Sequence, residues 1–199
     1  MFDFHHRIAP IFLALSLAGC SDSTEPIDLR VGLFVADEVK LSGMLHNPCR
    51  GIEEKPSLDR DLESTTAKAF RRTFDSIDIL KSYPTQQTIV DRQLDLVAIA
   101  EVKGAGGTLG YQGPKIWNRG ESDHSLSVQL TFYTREMKQV SSVKASGKGS
   151  AESIGIFFTA EKRALVKSVK VAIRNLGDDI VRQVYVNPDI RNMANQSEK

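Results

Sequence analysis

Cysteine, histidine and tryptophan are scarce in this sequence, whose 199 residues contain two cysteines, four histidines and one tryptophan. No apolar run approaches the roughly 20 residues that a membrane-spanning helix needs. The formal net charge of +1 gives no reason to expect a nucleic acid as partner. With 41% apolar and 26% charged residues, the composition is that of an ordinary soluble domain, and the length suffices for one domain with a hydrophobic core.

The N-terminus has the three parts of an export signal. Residues 5–7 are weakly basic, residues 8–17 are mostly apolar, and Leu17-Ala18-Gly19-Cys20 matches the bacterial lipobox. Small residues before the cut let an extended backbone enter a peptidase, and the thiol of Cys20 is the nucleophile that takes up diacylglycerol. This pattern predicts a lipoprotein signal peptide over residues 1–19, cleaved before Cys20. The alternative is a buried N-terminal helix that happens to end in cysteine.

Acylation of Cys20 predicts a durable membrane attachment, since each buried acyl CH₂ contributes about 0.8 kcal/mol and two or three chains are expected, palmitate among them. Residues 20–27 are polar and form a tether from the lipidated cysteine. Ser21, rather than aspartate, follows the cysteine, which favours the outer membrane and its periplasmic face over the inner membrane. Lipidation leaves Cys49 without a partner in the chain, as a lone thiol or in an intermolecular disulfide.

Residues 28–187 show the alternation of strand and helix patterns of a single α+β domain. Strands are expected over 29–35, 94–102, 126–133 and 140–145. A first apolar stripe of helical period extends from Leu58 to Ile77, and a second, starting with Thr159 as N-cap, extends to Val184. The prediction is a two-layer sandwich, with two helices packed on one face of a mostly antiparallel sheet. Residues 104–120 are expected to form a glycine-rich connection, and residues 188–199 a disordered polar tail.

Five apolar residues on the two helical stripes are predicted to be buried where the helices meet the sheet: Phe70, Phe74, Leu165, Ile173 and Leu176.

Sites for catalysis, metals and nucleotides find little support. After removal of the signal, the histidines left are His46 and His124, and neither has a carboxylate or cysteine at metal-ligand spacing. The glycine cluster at 104–109 lacks the last glycine of a dinucleotide-binding motif. The stretch 147–150 lacks the upstream glycine of a phosphate-binding loop. The sequence therefore predicts no catalytic residue, no metal and no bound nucleotide.

The segment 111–119 is the candidate binding loop. It holds the single tryptophan, Trp117, together with Tyr111, Lys115 and Arg119. Aromatic residues beside arginine are typical of binding hot spots, and functional residues concentrate on loops. The alternative is that Trp117 folds back and plugs the end of the core.

The order of these features resembles the small bacterial lipoproteins of the YajG type. The resemblance is carried by the lipobox 17–20, the segment 69–79, the strand 94–102 and the segment 147–184. More distantly, the order is similar to that of lipoproteins of the LPS-assembly plug type and the curli-export type. Of the residues with a known role in such lipoproteins, the resemblance carries over the acylation site, Cys20, and it implies no catalytic residue.

The function expected from the sequence is that of a non-enzymatic accessory lipoprotein of the bacterial cell envelope, presenting an α+β domain to an assembly or transport component. The expected partners are the membrane, through the lipid anchor, and an envelope protein, and no nucleic acid is expected. No cofactor is expected besides the covalent diacylglycerol and acyl chain. The alternative is an envelope lipoprotein that binds a lipid, a glycan or peptidoglycan through the loop 111–119.

Overall fold

The computed structural model describes residues 25–36, 55–113, 117–156 and 159–197. Cys20, His46, Cys49 and Lys115, which the sequence singled out, lie outside the described residues. In chain order the described elements are β1 (Ile27–Val35), α1 (Lys55–Thr73), β2 (Phe74–Leu80), α2 (Gln86–Asp91), β3 (Leu96–Gln112), β4 (Trp117–Tyr133), β5 (Gln139–Ile156), α3 (Thr159–Tyr185) and α4 (Pro188–Ser197).

The five strands form one sheet in the order β2-β1-β3-β4-β5. β1 is parallel to both β2 and β3, whereas β3, β4 and β5 form a long antiparallel meander. Each parallel ladder is short, so most of the pairing is antiparallel. The predicted α+β class with a mostly antiparallel sheet is confirmed.

The main core lies between one face of this sheet, which we call the inner face, and the helices α1 and α3. All five residues predicted to be buried there are at most 5% exposed. Phe70 of α1 stacks on Phe132 of β4 with ring centroids 6.1 Å apart, and Phe74 contacts both rings. The two long helices therefore cover the same face, as the apolar stripes predict.

The opposite, outer face of the sheet carries a second, smaller core that the sequence did not predict. Ile89 of the short helix α2 is fully buried against Leu94, Val97 and Ile99. Thr85 caps α2, because its side chain accepts a hydrogen bond from the Thr88 amide. Among the described residues, the outer face is thus covered at the end of the sheet where β1 and β2 lie.

The first helical stripe does not continue to Ile77 as expected. α1 ends at Thr73, and Phe74 begins the strand β2, which pairs in parallel with β1. The local pattern allows both structures, because Phe74 lies four residues after Phe70, whereas Ile77 and Ile79 alternate with Asp78. Pairing with β1, more than 40 residues earlier in the chain, decides between them.

The expected glycine-rich connection and the expected disordered tail are also regular structure. β3 continues to Gln112 and β4 starts at Trp117, so most of residues 104–120 lie in a hairpin. Pro188 does end α3, but it also starts α4, since proline suits the first helical position. The Asn187 side chain accepts hydrogen bonds from the amides of Asp189 and Ile190, and the buried side chain of Ile190 holds this helix to the core.

The sheet has two parts of different construction. In the base, all five strands pair and both faces are covered. Val35, the last residue of β1, pairs with Ala100, and β3 then runs on to Gln112. At about 3.3 Å per residue, the ten residues 103–112 of β3 extend the sheet by roughly 33 Å. We call this extension, formed by residues 103–112, 117–127 and 146–156, the arm.

Candidate functional site on the outer face of the arm

Three of the four residues singled out in the predicted binding loop lie on two paired strands at the tip of the arm. Tyr111 belongs to β3 and pairs with Gly120, and Trp117 and Arg119 are the first and third residues of β4. The antiparallel hairpin therefore brings together the two ends of the segment, and the long glycine-bounded loop expected from the sequence is wrong. Whether these residues bind anything stays a prediction.

Trp117 is exposed to solvent over 62% of its surface. Its partner across the ladder is Ile156, and Ile154, two residues earlier on β5, is 70% exposed. Directly opposite residues and residues two apart point to the same side of a sheet, so all three side chains lie on the outer face. We call these three residues the tip cluster (Trp117, Ile154, Ile156). Because the indole of Trp117 is exposed, the interpretation in which it plugs the core is wrong.

Arg119 lies next to the tip cluster and is held by two carboxylates. Its guanidinium donates to Glu152 Oε2 at 2.6 Å, and its Nε lies 3.2 Å from Glu121 Oε1. The hydrogen bond and the charge of Glu152, followed by the charge of Glu121, raise the pKa of Arg119. The cation is therefore partly neutralised, which makes it a poor receptor for a free anion.

Further from the tip, the arm carries a shallow depression of about 280 Å³. It crosses all three strands and is lined by Gly106, Gly107, Thr108, Asp123, His124, Ser125, Lys148, Gly149 and Ser150. A side chain added at Gly106 would meet no other atom, so this glycine leaves open space on the sheet. The depression is small and open, which suits contact with part of a larger ligand rather than enclosure of a small one.

His124 joins the arm to α3 through a cluster of three polar side chains. Its Nδ1 lies 3.0 Å from Ser122 Oγ and 3.0 Å from Ser168 Oγ, and Ser168 donates to Ser122 at 3.0 Å. Burial lowers the pKa of His124, while the charge of Asp123 opposes this shift. Both serine hydroxyls are buried, at 2% and 0% exposure, so a substrate cannot reach either oxygen. The cluster acts as a hydrogen-bonded link between β4 and α3.

Glycines that resemble nucleotide-binding motifs have a packing role instead. A Cβ at Gly147 would overlap the Ala172 carbonyl oxygen, and one at Gly149 would overlap the Ser168 carbonyl oxygen. Both positions therefore let the backbone of α3 lie directly on β5. A signal for this was present in the sequence, because glycines two residues apart on a strand occupy the same face.

Within the described ranges, no group of three or more histidine, cysteine, aspartate or glutamate side chains is arranged to hold a metal ion. In the same ranges, no helix is both long enough and apolar enough to cross a membrane.

No family model matches the chain, and no curated protein matches it. Solved structures do match by fold. A protein described as a neuraminyllactose-binding hemagglutinin homolog from Helicobacter pylori superposes with a TM-score of 0.50 at 12% identity, over 87% of this chain and 92% of that chain.

Two weaker superpositions involve other bacterial proteins. A hypothetical protein from Chlamydia trachomatis gives a TM-score of 0.44 at 10% identity, over 79% of this chain and 96% of that one. A minor lipoprotein from Acinetobacter baumannii gives 0.36 at 11% identity, over 81% and 94%. At these identities the likeness concerns the fold alone, and of these three superpositions the Helicobacter one is the best, with its TM-score of 0.50. The resemblance to YajG-type lipoproteins stays a prediction.

Proposed function

We propose that this protein is a lipid-anchored, non-enzymatic accessory lipoprotein of the bacterial envelope, acylated on Cys20, which presents its arm to another envelope component. One observation carries the proposal. The apolar tip cluster lies at the end of the sheet opposite to the end from which the chain leads back to the lipobox.

This geometry follows from the strand directions. β1 is parallel to β3, so Ile27 lies at the end of the sheet where both strands begin. The tip lies at the opposite end, where β3 ends. Glu25 and Pro26 line a cavity together with Tyr185 and Arg191, so the last residues of the tether lie beside the C-terminal helices at the base. A lipid on Cys20 would therefore hold the base near the membrane and leave the tip free to reach a partner.

The proposed location is the periplasmic face of the outer membrane, because Ser21 follows the acylated cysteine. The proposed partners are the membrane, through the lipid, and a protein of an envelope assembly or transport system. The proposal includes no cofactor beyond the acyl groups and no nucleotide or nucleic acid.

The second candidate function is binding of a lipid, a glycan or peptidoglycan by the same face. It is favoured by the exposed Trp117, because aromatic platforms supply large contact areas, and by the polar side chains around Arg119. The name of the Helicobacter protein mentions binding of neuraminyllactose. That property belongs to that protein, and it suggests neuraminyllactose as one glycan to test.

The anchor is tested by labelling with palmitate in cells. Cys20→Ser should abolish labelling and leave the unprocessed precursor, because no other thiol occupies the lipobox. Cys49→Ser is the matched control and should be labelled like the wild type. Equal labelling of Cys20→Ser and the wild type would contradict the proposal.

The role of the arm is tested by cross-linking in intact envelopes. Trp117→Ala should reduce cross-links to envelope proteins at least about tenfold, since aromatic anchors commonly contribute about 2 kcal/mol of binding. Val186→Ala is the control, because Val186 is as exposed as Trp117, at 64%, but follows α3 at the base. Retained cross-links with Trp117→Ala, together with loss of retention on immobilised peptidoglycan or neuraminyllactose, would favour the second function.

A further inference from the structure

The free edge of β5, on the side away from β4, is hydrogen-bonded at three positions by side chains of α3. β5 is the last strand of the sheet, so the backbone groups of alternate residues point away from β4. The Ser146 amide donates to Asp179 Oδ2 at 2.7 Å, and the Lys148 carbonyl accepts from Asn175 Nδ2 at 2.7 Å. These two bonds establish that the even-numbered residues of β5 face the open edge.

A third hydrogen bond from α3 reaches this edge at the end of the strand. Thr159 Oγ1 donates to the Ile156 carbonyl at 2.8 Å. Between these protected positions lie Ser150, Glu152 and Ile154, and within the described residues their edge-directed amides and carbonyls have no partner. The ladder to β4 is regular through this stretch, so three amides and three carbonyls are presented in the geometry of a strand edge.

On the tip side of this window the exposed side chains are apolar, whereas the exposed Lys148 borders its other side. Natural edge strands are commonly blocked by lysine, proline or bulges, because an open edge pairs with other chains. Here Ile154 is 70% exposed, and Ile156 and Trp117 extend the apolar surface on the same face. The charge of Glu152 is compensated by Arg119 at 2.6 Å, which leaves it a weaker barrier to an incoming strand.

We propose that the window 150–154 of β5 is a docking edge for an extended peptide segment of another envelope protein, with apolar side chains at alternate positions. The segment would add a sixth strand to the sheet, its backbone pairing with the open groups and its apolar side chains covering the tip cluster. The proposal rests on the proposed function in taking the occupant from another protein and in using the lipid anchor as the argument against a second copy. Two copies pairing these edges antiparallel would direct their lipid-bearing bases away from each other, which one membrane cannot accommodate.

The test uses the full chain and a synthetic peptide of ten residues, in which isoleucine or valine alternates with threonine between terminal lysines. A peptide of the same composition with its apolar residues grouped together is the control. The alternating peptide should bind at micromolar concentration, and the grouped peptide at least tenfold more weakly. Hydrogen exchange of the Ser150, Glu152 and Ile154 amides should slow at least tenfold on binding. The amides of Ser153 and Gly155, which already face β4, should be unchanged.

Two variants complete the experiment. Ile154→Pro removes one edge amide and should weaken peptide binding at least tenfold, whereas Ile154→Val keeps the amide and should bind like the wild type. The exchange pattern remains decisive if the proline variant folds poorly. Binding without slowed exchange at the edge amides, equal binding of the grouped peptide, or edge amides already protected in a dimer of the free protein would each overturn the proposal. Palmitate labelling of Cys20 is independent of all these outcomes, so failure here leaves the anchor untouched.

Discussion

The strands β3, β4 and β5 run through both the base and the arm, but the two parts are packed in different ways. In the base, large apolar side chains such as Phe70, Phe74 and Phe132 fill the space between sheet and helices, and a second small core covers the outer face. In the arm, α3 is held by glycines and by the His124 cluster, and the outer face carries exposed side chains. The base therefore stabilises the domain through buried apolar contacts, and the arm exposes side chains to solvent on its outer face.

The largest effect is expected in the base. Phe74→Ala should lower the free energy of unfolding by about 3–5 kcal/mol, because the buried ring contacts both Phe70 and Phe132. Urea denaturation of the variant and the wild type measures this difference. Val90→Ala, at an exposed position on α2, should leave stability nearly unchanged. A Phe74→Ala variant as stable as the wild type would show that the base core is misplaced.

The next effect concerns the glycines that bring α3 onto β5. Gly147→Ala should cost about 1–3 kcal/mol, because the new methyl group overlaps backbone atoms of α3 that cannot move aside independently. Gly106→Ala is the matched control on the same arm, since its methyl group would enter open space, and it should be neutral or slightly stabilising. Equal destabilisation by both substitutions in urea would mean that close helix packing is not the reason for glycine at 147.

A smaller effect is expected from pH. Burial lowers the pKa of His124 in the folded protein, so protonation favours the unfolded chain. Stability should therefore fall as the pH drops below about 6.5, the ordinary pKa of histidine, and the loss should be complete once the pH is below the lowered pKa. Melting temperatures between pH 8 and pH 5 should decline more steeply for the wild type than for His124→Gln. Parallel curves would contradict this role for the buried imidazole.

The smallest effect on stability is expected at the tip. Trp117→Ala should change the free energy of unfolding by no more than about 0.5 kcal/mol, because the indole is largely in solvent. Its fluorescence in the folded wild type should be quenched readily by acrylamide, and Trp117 is the chain's single tryptophan, so the signal is unambiguous. A shielded indole whose removal lowers the melting temperature by several degrees would contradict the exposed position of Trp117 on the arm.

The buried face of α3 was predictable because this segment has an unambiguous local pattern. The stripe of α3 repeats with helical period along its length, and its buried residues Leu165, Ile173 and Leu176 follow directly from it. The arm was harder to predict. Glycine is depleted from strands in general, so residues 104–110 favoured a loop, although they pair regularly with β4. Trp117 was likewise ambiguous, since neither composition nor spacing distinguishes a core plug from an exposed aromatic.

The sequence by itself determined which segments can be helical or extended and which faces are apolar, and it predicts a lipid anchor at Cys20. These properties depend on neighbouring residues and on backbone geometry alone. The tertiary structure decided that Phe74 starts a strand, that Gly147 and Gly149 lie under α3, and that side chains of α3 bond the β5 edge at Ser146, Lys148 and Ile156. Each of these depends on a partner far away in the chain, whose position is set by the packing of the whole domain rather than by local pattern.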